Sequence, residues 1–169
     1  MNGIYIIIGG NLGDRLALIE DCKHKIEKEI GIISRSSSIY ESASWGETDN
    51  PNYLNQVLYI ESNFSAKEVL EKALEIEKEL GRTRDKKWES RLIDIDILFF
   101  NEEIIDEKNL KIPHPHLQNR KFVLVPLNEI ANEFIHPLFK KNMIVLLDEC
   151  KDELRCTVYK SIDNSDFSN

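Results

Sequence analysis

Two aspartates stand two positions apart in the apolar stretch "SRLIDIDILFF", residues 90–100. In an extended chain side chains alternate between faces, so Asp94, Asp96, Leu98 and Phe100 are expected on one side and Ile93, Ile95, Ile97 and Phe99 on the other. Two carboxylates side by side at one end of a mostly buried strand repel each other unless basic side chains or a metal ion lie between them. The segment before them, "RTRDKKWESR", residues 82–91, carries five basic groups against two acids. Arginine forks bind phosphate oxygens, and paired carboxylates bind Mg²⁺. Together they suit a metal–nucleoside polyphosphate. The P-loop pattern is absent, and "GGNLGD", residues 9–14, reads as a tight turn with Asn11 or Asp14 capping the next helix. In "NPNYLNQV" Tyr53, Asn55 and Val57 share one strand face. A ring beside a primary amide suits a flat heterocycle, through stacking and paired hydrogen bonds. His114 sits between Pro113 and Pro115 and is followed by Arg120 and Phe122. His136, before Pro137, reads as structural.

The elements that must position these groups fit in one domain of residues 1–160, with 161–169 as a frayed tail. The chain has 169 residues, 41% apolar and 31% charged, which suits a soluble globular protein with one substantial core. Its net charge of −8 argues against holding nucleic acid or an anionic membrane by bulk electrostatics, while leaving room for a small anion at a local basic cluster. Cys22, Cys150 and Cys156 have no metal-site spacing and read as free thiols in a reducing compartment, so a cytoplasmic location is expected. No stretch has targeting or transmembrane character.

Residues 4–8 read as a buried strand and 16–30 as a helix with Leu16, Ile19, Ile26 and Ile30 on its apolar face. A strand over 31–42 and a clearer one over 52–62 follow. Ser65 and Glu68 form a capping box for a helix striped by Val69, Ala73, Ile76 and Leu80, with Gly81 suited to the position after its C-terminus. After the aspartate strand come a turn with a short strand, a helical stretch over 118–131, a short helix over "MIVLLDEC" and a last strand over "LRCTVYK". The order strand, helix, strand, strand, helix, strand predicts an α+β, ferredoxin-like split βαβ core. Its sheet is mixed or antiparallel, with helices packed on one face and extra C-terminal helices added.

With these clusters in view, the chain resembles the hydroxymethyl-dihydropterin pyrophosphokinases of folate biosynthesis. The resemblance runs from about residue 3 to residue 147 and rests on "IGGNLGDR", "YESASWGETDNPNYLNQV", "GRTRDKKWESRLIDIDIL" and "IPHPHLQNRKFVLVPLNEIA". It implies transfer of pyrophosphate from ATP to the hydroxymethyl group of 6-hydroxymethyl-7,8-dihydropterin, with AMP released. By the same resemblance Asp94 and Asp96 bind two Mg²⁺ ions, with Arg82 and Arg91 as further catalytic groups. Arg84, Lys87, Trp88, His114 and Arg120 contact ATP or close over it. Tyr53 and Phe122 sandwich the pterin, and Asn55, Ser42 and backbone from Ala43 through Trp45 to Gly46 read its edge. Glu77 is a supporting carboxylate.

Some positions depart from the family pattern: "KWESR" replaces arginine–Trp–Gly–Pro–Arg, Gly10 stands where serine is usual, and "SASWG" replaces a Thr-Pro-rich version. None removes a group the chemistry requires. A monomer is expected, and because the chain ends soon after the domain, no fusion to another folate enzyme. Two alternatives compete: another Mg-dependent nucleotidyl or phosphoryl transferase, which leaves Tyr53, Asn55 and Phe122 unexplained, and a non-catalytic ferredoxin-like binding module, against which the paired aspartates speak.

Overall fold

The computed structural model describes residues 1–43, 51–81 and 92–162. Strand β1 (Asn2–Gly10) is the apolar run that the sequence announces, and seven of its nine residues are buried. It lies antiparallel between β4 (Tyr53–Ser62) and β5 (Asp94–Phe100). Strands β2 (Ile32–Ser36) and β3 (Ile39–Ser42) pair with successive parts of β4, and β8 (Cys156–Lys160) extends the sheet beyond β3. The sheet order is β5-β1-β4-β3-β8, with every pairing antiparallel. A separate ribbon joins β6 (Ile105–Asp106) to β7 (Lys111–Ile112).

Helices α1 (Arg15–Glu29) and α2 (Ala66–Glu79) complete the two interlocked βαβ units, and their ends follow local chemistry. The Asp14 carboxylate accepts from the Ala17 N–H, capping α1. Ser65 and Glu68 form the expected capping box, and Gly81 takes up φ +96° just after α2, where a side chain would be strained. Both helices bury their apolar stripes against one sheet face: Ile19, Cys22, Ile26, Val69, Ala73 and Ile76 pack with Ile4, Ile6 and Ile8 of β1.

The opposite face is also covered, which corrects the expectation of helices on one face only. Helices α3 (Lys121–Ala131) and α4 (Met143–Glu149) pack Val123, Leu124, Leu127, Met143 and Leu146 onto Tyr5, Ile7, Val57, Leu98 and Phe99. Three further differences have physical causes. The strand expected over 31–42 is two strands, because the Ser37 hydroxyl accepts from the Val57 N–H and interrupts the ladder at Ser37–Ser38. The helix expected from residue 118 starts at Lys121, since Leu117–Asn119 is a 3-10 turn and Arg120 is extended. Strict alternation also fails along β5. The register slips at Leu98, so Leu98 and Phe99 both face α3 and Phe100 returns to the α1–α2 side.

Candidate active site

The sheet face beneath α3 is apolar at one end and polar at the other. Register fixes the polar end: Gly9 of β1 pairs with Asn55 of β4 on one side and with Asp94 of β5 on the other. These three residues therefore form a row across the sheet, with Asp96 one step along beside Ile7. Gly9 has no alternative here, because a Cβ would meet Asn55 Oδ1 at 2.3 Å and the Leu54 carbonyl oxygen at 2.7 Å. Asn55 is buried and its Nδ2 donates to Ser42 Oγ at 3.1 Å. Ser42 in turn pairs with Tyr53 across the β3–β4 ladder, so Ser42, Tyr53 and Asn55 come together as expected. The Ala43 N–H donates to the Arg155 carbonyl at 3.3 Å and is thus committed to the chain entering β8.

On the other flank, Asp94 is half-buried and Asp96 exposed, while Ile93, Ile95 and Ile97 through Phe100 are buried. The backbone between the aspartates is fastened from behind. Glu77, 2% exposed on α2, accepts the Ile95 N–H at 2.7 Å. That bond gives physical content to its expected supporting role.

His114 follows the cis Ile112–Pro113 peptide, and its N–H donates to the Leu98 carbonyl at 3.0 Å, so the β5 bulge anchors it. Its Nδ1 accepts from the His116 N–H at 3.3 Å, which puts the ring proton on Nε2. Burial, with the Arg120 and His116 charges acting in the same direction and Asp96 opposing, holds His114 below the usual histidine range. Neutral, it presents an Nε2–H donor beside Asp96 and Arg120. Arg120 lies 5.8 Å from the Phe122 ring centre, and Phe122 packs on the cluster containing Val57, one step along the strand face from Asn55. The structure thus brings His114 within electrostatic reach of Asp96 and Arg120, and sets Phe122 against Arg120 and the Val57 cluster. Trp45, Gly46, Arg82, Arg84, Lys87, Trp88 and Arg91 lie outside the described residues.

Two supports escape sequence reading because they are non-local. Asp152 accepts from the Lys121 N–H at 2.9 Å and caps α3, which has no cap of its own. Gly9 makes room for Asn55, a need that appears only once β1 and β4 are in register. Among the described residues no third His, Cys, Asp or Glu joins the aspartates in a metal-ion cluster. Two adjacent carboxylates fit Mg²⁺, which keeps much of its shell for water and substrate phosphates.

The family model for 7,8-dihydro-6-hydroxymethylpterin-pyrophosphokinase (HPPK) matches residues 5–132. A 2-amino-4-hydroxy-6-hydroxymethyldihydropteridine pyrophosphokinase of Aquifex aeolicus (strain VF5) is 41% identical over 83% of this chain and 88% of its own length. One from Bacillus subtilis (strain 168) is 39% identical over 79% of this chain and 81% of its own. Among solved structures, Plasmodium falciparum HPPK-DHPS superposes with a TM-score of 0.71 at 19% identity, over 88% of this chain and 43% of that longer one. The fold of the two interlocked βαβ units and the sequence over most of its length agree: this chain belongs to the HPPK family.

Proposed function

We propose that the polar half of the α3 face is where ATP and the pterin meet. As a member of its family, the chain transfers pyrophosphate from ATP to the hydroxymethyl group of hydroxymethyl-dihydropterin in folate biosynthesis. The observation that carries the assignment of this reaction to these residues is the row Asn55–Gly9–Asp94. It sets the ring-reading amide and the first carboxylate two strand spacings apart, about 10 Å, the span of a bicyclic heterocycle with its exocyclic arm.

In this reading Tyr53 and Phe122 stack on the two faces of the pterin, while Asn55, Ser42 and backbone from Ala43 through Trp45 to Gly46 meet its hydrogen-bonding edge. Asp94 and Asp96 hold two Mg²⁺ ions, whose chemistry is to neutralise the phosphate oxygens. The neutral His114 donates from Nε2 to a phosphate oxygen, and Arg120 adds a fixed positive charge beside it. Arg84, Lys87 and Trp88 contact the nucleotide, and Arg82 and Arg91 steady charge as it moves. The hydroxymethyl oxygen attacks the β-phosphorus, its proton is released, and the bond to the α–β bridging oxygen breaks to free AMP. Positioning and electrostatics therefore supply most of the rate. Residues 1–160 act as one domain, as a monomer in the cytoplasm; no helix among the described residues is long and apolar enough to cross a membrane.

The test is incubation with ATP, Mg²⁺ and hydroxymethyl-dihydropterin, with the nucleotide product identified. AMP formed one-for-one with pterin diphosphate, and lost in Asp94 and Asp96 variants, supports the reading. ADP as product, or full activity without either aspartate, overturns it.

A further inference from the structure

Among the described residues the β3–β4 ladder that carries Ser42, Tyr53 and Asn55 has three residue pairs, Tyr40–Asn55, Glu41–Leu54 and Ser42–Tyr53. So short a ladder is weak by itself. Tyr40 and Ser42 face the α3 side, where the Tyr40 hydroxyl donates to Glu129 and Ser42 receives Asn55. Glu41 lies between them in β3 and so projects to the α1 side. There it meets Arg15, the first residue of α1. One guanidinium nitrogen, Nη1, donates to Glu41 Oε2 at 2.9 Å and to the Asn52 carbonyl at 2.7 Å. The guanidinium also stands 5.7 Å from the centre of the Tyr159 ring on β8. A single side chain therefore ties together the residue before Ser42, the residue before Tyr53 and the strand beyond them.

We infer that Arg15 is a positioning residue for pterin recognition. It holds the ends of β3 and β4 at the spacing that lets Ser42 and Asn55 meet the ring edge together, from behind the sheet and without touching substrate. The Arg15 and Glu41 side chains are 23% and 29% exposed, so the pair is shielded more than an ordinary surface ion pair. Its second bond, to a backbone carbonyl, is charge-assisted and fixes main chain directly. Asn11 adds a weaker link to the same segment, donating from Nδ2 to the Pro51 carbonyl at 3.3 Å. His114, Arg120 and the aspartates lie on the other flank of the row, so loosening the β3–β4 end disturbs the pterin end first.

This rests on the pterin placement given under Proposed function, and the experiment separates the two. Dissociation constants for hydroxymethyl-dihydropterin (with a non-hydrolysable ATP analogue present) and for the analogue alone are measured on the wild type, Arg15→Gln, Arg15→Lys and Asn55→Ala. The expected result is a roughly tenfold weaker pterin Kd for Arg15→Gln, with analogue affinity within twofold of wild type. If Arg15→Gln does not fold, Arg15→Lys, which keeps the charge but loses the fork, carries the test with a loss of about threefold or more. Pterin binding within twofold of wild type in a folded Arg15 variant overturns the inference, as does an equal loss for both ligands. A weakened Asn55→Ala beside an unchanged Arg15→Gln overturns only the Arg15 role. An unchanged Asn55→Ala overturns the pterin placement beneath it.

Discussion

Asp94 and Asp96 belong to the same strand face but not to the same environment. Asp94 sits half-buried in the row with Gly9 and Asn55, whereas Asp96 is exposed beside His114. A carboxylate that stays in water contributes little to folding, so replacing Asp96 separates chemistry from stability. Asp96→Asn keeps the shape and removes the charge. On the proposed metal-binding role, its rate of AMP formation is expected to fall by roughly three orders of magnitude or more, because losing a metal ligand forfeits several kcal/mol of transition-state stabilisation. The melting temperature should hold or rise slightly, since one of two neighbouring like charges is gone. Initial rates and a thermal melt on the same sample check both halves. A fall in melting temperature matching the fall in rate would mean that the aspartate serves the fold. Glu77 makes the contrast sharper: buried on α2, and spent on the Ile95 N–H, it supports the aspartates from the opposite side of the sheet.

Caps show which parts of the site could be read from the chain at the level of whole elements. Ser65 caps α2 from the adjoining residue, with Glu68 three positions on, so the signal is local and legible. Asp152 caps α3 from 31 residues away, and nothing near Lys121 announces it. Either change to alanine should cost about 1 kcal/mol in urea denaturation. Only Asp152→Ala should also raise the KM values for both substrates, because α3 carries Phe122 and follows Arg120; steady-state kinetics on both variants decide. The same division governs the rest of the reading. A cap for α1 from Asn11 or Asp14, Ser65, Gly81, the helical stripes and the shared face of Asp94 and Asp96 were legible from neighbours in sequence. The slip at Leu98 was not, because it depends on how β5 meets Tyr5 and Ile6 of a distant strand. The row Asn55–Gly9–Asp94 and the Arg15 tie depend on register in the same way. Residue types at the site could be named from sequence, but the order in which the sheet lays them side by side could not.

For the whole molecule, the second helical layer divides the sheet face that carries the proposed site. Tyr5, Ile7, Val57, Leu98 and Phe99 make one half of a sheet face apolar, and α3 and α4 cover it. Ser42, Asn55 and the aspartates make the other half polar, and that half is where the proposed reading places the substrates. The covering layer has its own sensitivity to acid through His136, which is 1% exposed and stands against Phe99 and Phe139 with ring centres 5.4 Å and 4.4 Å away. Its Nδ1 accepts from the Leu138 and Phe139 N–H groups, so the ring must be neutral to serve, and burial pushes it down to about 4. An unfolded histidine titrates near 6.5. Above that value both states are neutral and the full stabilisation is present. As pH falls from about 6.5 toward 4 the unfolded chain takes up a proton that the folded one refuses, and stability drops by about 3 kcal/mol. Asparagine at this position keeps an acceptor for the two N–H groups and does not titrate. Urea denaturation at pH 7 and pH 4.5 should therefore show His136→Asn losing about 2 kcal/mol less than the wild type on acidification. Equal losses would mean that this imidazole is not what couples the covering layer, and with it the shape of the site, to pH.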